Sequence, residues 1–95
     1  MAAGIARLGD KCTGHCFPSR PNIAASTNVF ANGIGIHRMG DAWTYHTCGK
    51  NTHAGVLAAG SRTVFVNGLP VGRIGDPVSC GSSILTGSAN VFAGG

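Results

Sequence analysis

Apolar and polar positions alternate along this chain only in short bursts, each closed by glycine, asparagine or serine. The clearest burst is TVFVNGLPVGRIGDPVSC, residues 63–80. It reads as a strand over residues 63–66, an Asn67-Gly68 turn, a second strand through Arg73, a Gly75-Asp76 corner and then Cys80. Asn-Gly between two apolar or β-branched runs is a strong hairpin signal, because a type I′ turn needs positive φ at both central residues. Strand formers flanked by Gly, Asn, Ser and Pro dominate the chain, which predicts a nearly all-β fold.

The same unit recurs. Arg-x-Gly-Asp appears as Arg7-Leu8-Gly9-Asp10, Arg38-Met39-Gly40-Asp41 and Arg73-Ile74-Gly75-Asp76. Asn28-Val29-Phe30-Ala31-Asn32-Gly33 precedes the second copy and Thr63-Val64-Phe65-Val66-Asn67-Gly68 the third, at a constant offset of 35 residues. The first copy has no such strand before it. Its counterpart closes the chain as Asn90-Val91-Phe92-Ala93-Gly94-Gly95. Each strand also follows a small-residue stretch: Ala24-Ala25-Ser26-Thr27, Ala59-Gly60-Ser61-Arg62 or Thr86-Gly87-Ser88-Ala89. The expectation is three equivalent hairpin units about a pseudo-threefold axis, one of them assembled from the two termini. Such repeats cannot bury their apolar faces singly and need their neighbours. Phe30, Phe65 and Phe92 are equivalent, and are expected in a shared core or against a partner.

Size sharpens the picture. Ninety-five residues make one small domain, close to where a hydrophobic core alone is barely sufficient, so a staple is expected. Sixteen glycines and the absence of Glu and Gln argue against helices, and no run of about 18 apolar residues exists to span a membrane. The opening MAAGIARLGD lacks a basic region followed by an apolar core, so no secretory signal is expected. The only acids are Asp10, Asp41 and Asp76, each three residues after an arginine, and the net +4 comes from Lys11, Arg20, Lys50 and Arg62. Four scattered cations do not form a nucleic-acid footprint.

Four cysteines (Cys12, Cys16, Cys48, Cys80) and four histidines raise the choice between disulfides and a metal. With no export signal in view, clustered Cys and His favour metal. The placement is regular: His15, His46 and Cys80 each follow a Gly-Asp corner by four or five residues, and His53 lies in the loop after the second arm. A threefold axis would bring His15, His46 and Cys80 together, and His53 offers a fourth ligand. Three imidazoles and a thiolate suit Zn²⁺, and four protein ligands make a closed, structural site. Cys12, Cys16 and Cys48 are alternative ligands, Cys48 being the main rival to His53. A Cys12–Cys16 disulfide would close only a tiny loop. His37 takes the place of Ala6 and Gly72 in the sister copies and is expected to be a surface or strand histidine. The three aspartates are expected to bond backbone in tight corners or pair with the neighbouring arginines. No nucleophile–base pair, phosphate-binding glycine loop or HExxH motif is present. The reading from another class is a small zinc hydrolase, with three ligands and an open position for water.

SRTVFVNGLPVGRIGD, its copy STNVFANGIGIHRMGD, LGDKCTGHC near the start and the closing GSANVFAGG together resemble the PAAR-repeat proteins. These are the small conical tips of the central spikes of type VI secretion systems and contractile phage tails. The literal Pro-Ala-Ala-Arg is replaced by Pro70-Val71-Gly72-Arg73 and Gly35-Ile36-His37-Arg38. The resemblance implies a β-rich cone with zinc near its apex on His15, His46, His53 and Cys80. It implies a wide base, carrying the hairpins of Phe30, Phe65 and Phe92, docked on a trimeric β-helical spike. It further implies a monomeric, non-enzymatic, membrane-piercing tip made in the bacterial cytoplasm and delivered outside the cell. One domain over residues 1–95, with no effector extension, is the expected organisation.

Overall fold

The computed structural model describes residues 3–14, 19–48, 51–53 and 55–94, with the backbone alone for 46–48 and 51–53. Among these residues there is no helix, and eight short strands form four antiparallel pairs. β1 (Ala3–Gly4) pairs with β8 (Phe92–Ala93), β2 (Phe30–Ala31) with β3 (Ile34–Gly35), β4 (His46–Cys48) with β5 (Asn51–His53), and β6 (Phe65–Val66) with β7 (Leu69–Pro70). Asn32 and Gly33 have φ of 56° and 75°, Asn67 and Gly68 of 55° and 78°. Both central residues are therefore left-handed, as a type I′ turn requires. In β1–β8, Ala3 stands opposite Ala93 and Gly4 opposite Phe92, so the two ends of the chain complete the third hairpin.

A closed ring of backbone bonds marks the pseudo-threefold axis. The Ala6 N–H donates to the Gly72 carbonyl (2.8 Å), Gly72 to His37 (2.9 Å) and His37 to Ala6 (3.0 Å). One core lies on the hairpin side of this ring: Ile5, Ile36 and Val71, one per unit, packed with Ala31, Val66 and Ala93. On the other side the segments that leave and return after the corners form a second ring. Lys11 bridges Pro21, Asn22 bridges Trp43, Ala42 bridges Val56, Leu57 bridges Val78, Pro77 bridges Ser83 and Ile84 bridges Cys12. Each segment pairs with both neighbours, which leaves the ring without a free edge. Cys12, Trp43, Leu57, Val78 and Ile84 fill it with Ala6 as the upper core. Asn22 takes the place held by Leu57 and Ile84 in the other arms; its side chain accepts from Gly9 N–H (3.1 Å) and donates to the Arg7 carbonyl (2.9 Å).

The Arg-x-Gly-Asp corners join the two halves. Asp10, Asp41 and Asp76 accept the backbone N–H of Arg7, Arg38 and Arg73 at 2.7, 2.9 and 2.9 Å, and each carboxylate also takes Nε and Nη2 of the same arginine. The remaining Nη1 reaches a neighbouring unit: Asn32 Oδ1, Asn67 Oδ1 and the Gly94 carbonyl, respectively. The corner acids thus perform the structural role expected of them.

One of the two places expected for the phenylalanines falls away, and the expectation for His37 is corrected. Phe30, Phe65 and Phe92 do not form a shared core; they are 56, 55 and 55% exposed. Strand side chains alternate faces. Val29, Val64 and Val91 before them, and Ala31, Val66 and Ala93 after them, pack inward, so the phenylalanines point out. His37 is not on the surface but fully buried. It follows Ile36 of the hairpin-side core across the axial ring, where the small Ala6 and Gly72 leave room for one large side chain.

Candidate functional site

The site is best built from its thiol. Val78 to Ser82 make a tight turn, in which the Gly81 N–H donates to the Val78 carbonyl (3.0 Å) and the Val78 N–H to Ser82 (2.8 Å). Gly81 has φ of 105°, a conformation that suits glycine. The turn carries Cys80, half-buried, with Sγ 3.6 Å from Ser82 Oγ. Gly55 packs directly against it. A Cβ at Gly55 would lie 3.3 Å from Cys80 Sγ and 2.9 Å from Val78 Cγ1, so the approach depends on glycine.

Gly55 is two residues beyond His53, and its carbonyl accepts the N–H of Trp43, three residues before His46 (2.9 Å). In β4–β5, His46 stands directly opposite His53, Thr47 opposite Thr52 and Cys48 opposite Asn51. The His46–His53 pair is therefore the rung nearest to Gly55 along the chain, and Cys48 lies two rungs farther along the hairpin. From the first arm, the Thr13 N–H donates to the Ser83 carbonyl (2.8 Å), and the Ser83 N–H to Thr13 Oγ1 (3.2 Å). Thr13 precedes His15 by two residues, and Ser83 follows Cys80 by three. His15 itself, like Cys16, lies outside the described residues, as do the side chains of His46, Cys48 and His53. Among the described residues, no three His, Cys, Asp or Glu side chains converge.

Cys12 is a free thiol buried in the upper core beside Trp43 and Ile84. That packing explains it without a metal. Sequence reasoning did not single out Gly55. Its signal is a glycine two residues after the last candidate histidine, where a close approach is needed rather than a turn. The exposed Ile34 and Leu69, on the second strand of each Asn-Gly hairpin, were also missed as companions of Phe30 and Phe65.

Ser26, Ser61 and Ser88, in the small-residue stretches, have a threefold role. Each hydroxyl accepts the N–H three residues on (Val29, Val64, Val91; 2.9–3.0 Å) and donates to the neighbouring unit at Asn67 Oδ1, the Gly94 carbonyl or Asn32 Oδ1. The repeat is thus symmetric in its contacts as well as in its sequence.

The family model for the PAAR motif matches residues 18–86. The chain belongs to the PAAR-motif family. The match covers the second and third corners with their hairpins and arms, and the first corner lies before it. No curated protein matches the chain. PAAR-motif membership makes this, in general terms, a structural spike-tip component of the type VI secretion or phage-tail kind, associated with a spike protein. The all-β architecture of short hairpins agrees with that assignment.

Proposed function

We propose that this PAAR protein caps and sharpens a trimeric β-helical spike as a membrane-piercing tip, and that one structural zinc ion holds its arms. The observation that carries the docking is the match of symmetry to exposure. One chain presents three equivalent phenylalanines, Phe30, Phe65 and Phe92, each more than half exposed, on three hairpins around a pseudo-threefold axis. Aromatic side chains left in water at equivalent positions suit burial against a threefold partner. A trimer offers three identical surfaces to meet them.

His15, His46, His53 and Cys80 would hold the zinc. What supports this reading is the convergence of the three arms: the His46–His53 rung, the Cys80 thiol resting on Gly55, and Thr13 tied to Ser83. Zinc with four such ligands supplies a closed, structural centre rather than a reactive one. In a domain of 95 residues the ion's contribution to stability would be comparable with that of the whole fold, on the order of 10 kcal/mol. No helix of the described residues is long and apolar enough to cross a membrane. Piercing as proposed needs only a compact point that resists unfolding under load.

The test joins metal content to docking. The purified chain is expected to contain one zinc per molecule, and to co-purify with a trimeric spike from the same genome. His15→Ala and Cys80→Ala are expected to lose the zinc and melt at much lower temperature. Unchanged zinc in both variants would overturn the ligand set. In the cobalt-substituted protein, a saturated tetrahedral spectrum with thiolate charge transfer and no exchangeable water is expected; an exchangeable water would favour a hydrolase instead.

A further inference from the structure

One side chain occupies the joint between the two cores. His37 is 0% exposed, and a Cβ at Gly72, its neighbour in the axial ring, would lie 3.4 Å from His37 Cδ2, 2.7 Å from Leu57 Cδ2 and 3.2 Å from Ile84 Cδ1. The ring, Leu57 and Ile84 together fill what Gly72 leaves open. His37 Nδ1 is 2.7 Å from the Ala24 carbonyl. A carbonyl can only accept, so Nδ1 carries the proton of the neutral ring and Nε2 is the bare acceptor. Nε2 has no partner. Neither has Nε1 of Trp43, whose ring stands edge-on to the imidazole at 5.2 Å and 83°.

A neutral imidazole is at ease here, because only an acceptor goes unfilled. Protonation would create a charged N–H donor in an apolar joint with no acceptor for it among the described residues. The ionisable groups that act on it are Asp41 and Arg38 from its own arm and Asp10 from the first, with the Cys12 thiol in the adjoining core. Asp10 and Asp41 favour the charged ring, but each carboxylate is already forked onto its own arginine. Gly72 and Ile84, the third unit's residues at the joint, bring no ionisable group. Burial is the largest influence and lowers the His37 pKa from its ordinary 6.5, against the smaller opposing pulls of the Ala24 bond, Asp41 and Asp10.

We propose that His37 is an acid-sensitive lock on the pseudo-threefold axis: neutral, it holds the hairpin-side core and the upper core together; protonated, it opens the joint between them. In the unfolded chain His37 takes a proton near 6.5, whereas the folded protein resists it. The stability contributed by the buried neutral ring is therefore complete above about pH 6.5 and is lost as pH falls toward the lowered folded value. Within that window each pH unit shifts the folded-to-unfolded ratio by up to about tenfold. The tip would be firm at neutral pH and loosened in an acidic compartment.

The experiment compares thermal melting of the full chain, as purified, with that of His37→Asn between pH 8 and pH 5, on the order of half a unit per step. Asparagine keeps a donor toward Ala24 but cannot take a proton. Acid-induced losses elsewhere in the molecule are shared by both proteins, so only the difference is read. The wild type is expected to lose melting temperature more steeply than His37→Asn, and only below about pH 6.5. Parallel profiles would overturn the proposal. A second readout, the imidazole resonances of His37 in the wild type, decides the case even where the variant does not fold. A neutral Nδ1–H ring is expected as long as the protein stays folded, and reversible titration near 6.5 in the intact protein would overturn the lock.

Discussion

At the scale of single residues, the structure separates what a side chain does from where its type usually sits. His37 was legible as a member of the axial repeat, yet its burial was not. Its neighbours along the chain say nothing of the space that Ala6 and Gly72 leave at the axis, 30 or more residues away in sequence. The consequence is measurable. His37→Ala is expected to lower stability by about 2–4 kcal/mol in denaturant unfolding, through the cavity left under Trp43, while leaving zinc content unchanged. Full stability in that variant would mean that the joint collapses without cost. Gly55 offers the opposite case. Gly55→Ala drives a methyl toward Val78 Cγ1 and the Cys80 thiol, so the proposed zinc content is expected to fall although no proposed ligand has changed. Retention of stoichiometric zinc by that variant would show that the turn of Cys80 can move aside. The proposed ligands could be named from the sequence because they recur after a repeated corner. The close approach that positions the thiol could not, since it depends on packing between arms.

At the scale of elements, the hairpins were the readable part and the upper ring was not. Asn-Gly carries its own geometry, and the φ values of Asn32, Gly33, Asn67 and Gly68 follow from it. The ring of segments around Cys12, Trp43, Leu57, Val78 and Ile84 is built from single bridges between distant residues, too short to show an alternating pattern. Its closure comes from the corners, which makes them the element to perturb. Asp41→Ala removes the acceptor for the Arg38 N–H and for two guanidinium nitrogens. A loss of about 2–3 kcal/mol is expected, since charge-assisted bonds in a partly buried corner are among the stronger ones. Asp76→Ala should cost nearly the same, because its bonds are the same within 0.1 Å. A large difference between the two variants in urea unfolding would show that the threefold equivalence of geometry does not extend to energy.

At the scale of the whole molecule, one chain presents three similar sides, and this bears on the proposed role of its exposed aromatics. Phe30, Phe65 and Phe92 contribute little to the isolated fold, since more than half of each is in water. Replacing any one of them with serine is therefore expected to change stability by no more than about 0.5 kcal/mol. Docking should respond very differently. If the three meet equivalent surfaces of a trimeric spike, each single Phe→Ser change should weaken capping by about 1–3 kcal/mol, roughly five- to 150-fold in Kd, and the three losses should resemble one another. The triple variant should remain folded by circular dichroism but fail to co-purify with the spike. Normal capping by the triple variant would remove the hairpin face from the interface. A loss confined to one phenylalanine would place the partner on a single side, and the pseudo-threefold axis would then serve only the folding of the tip.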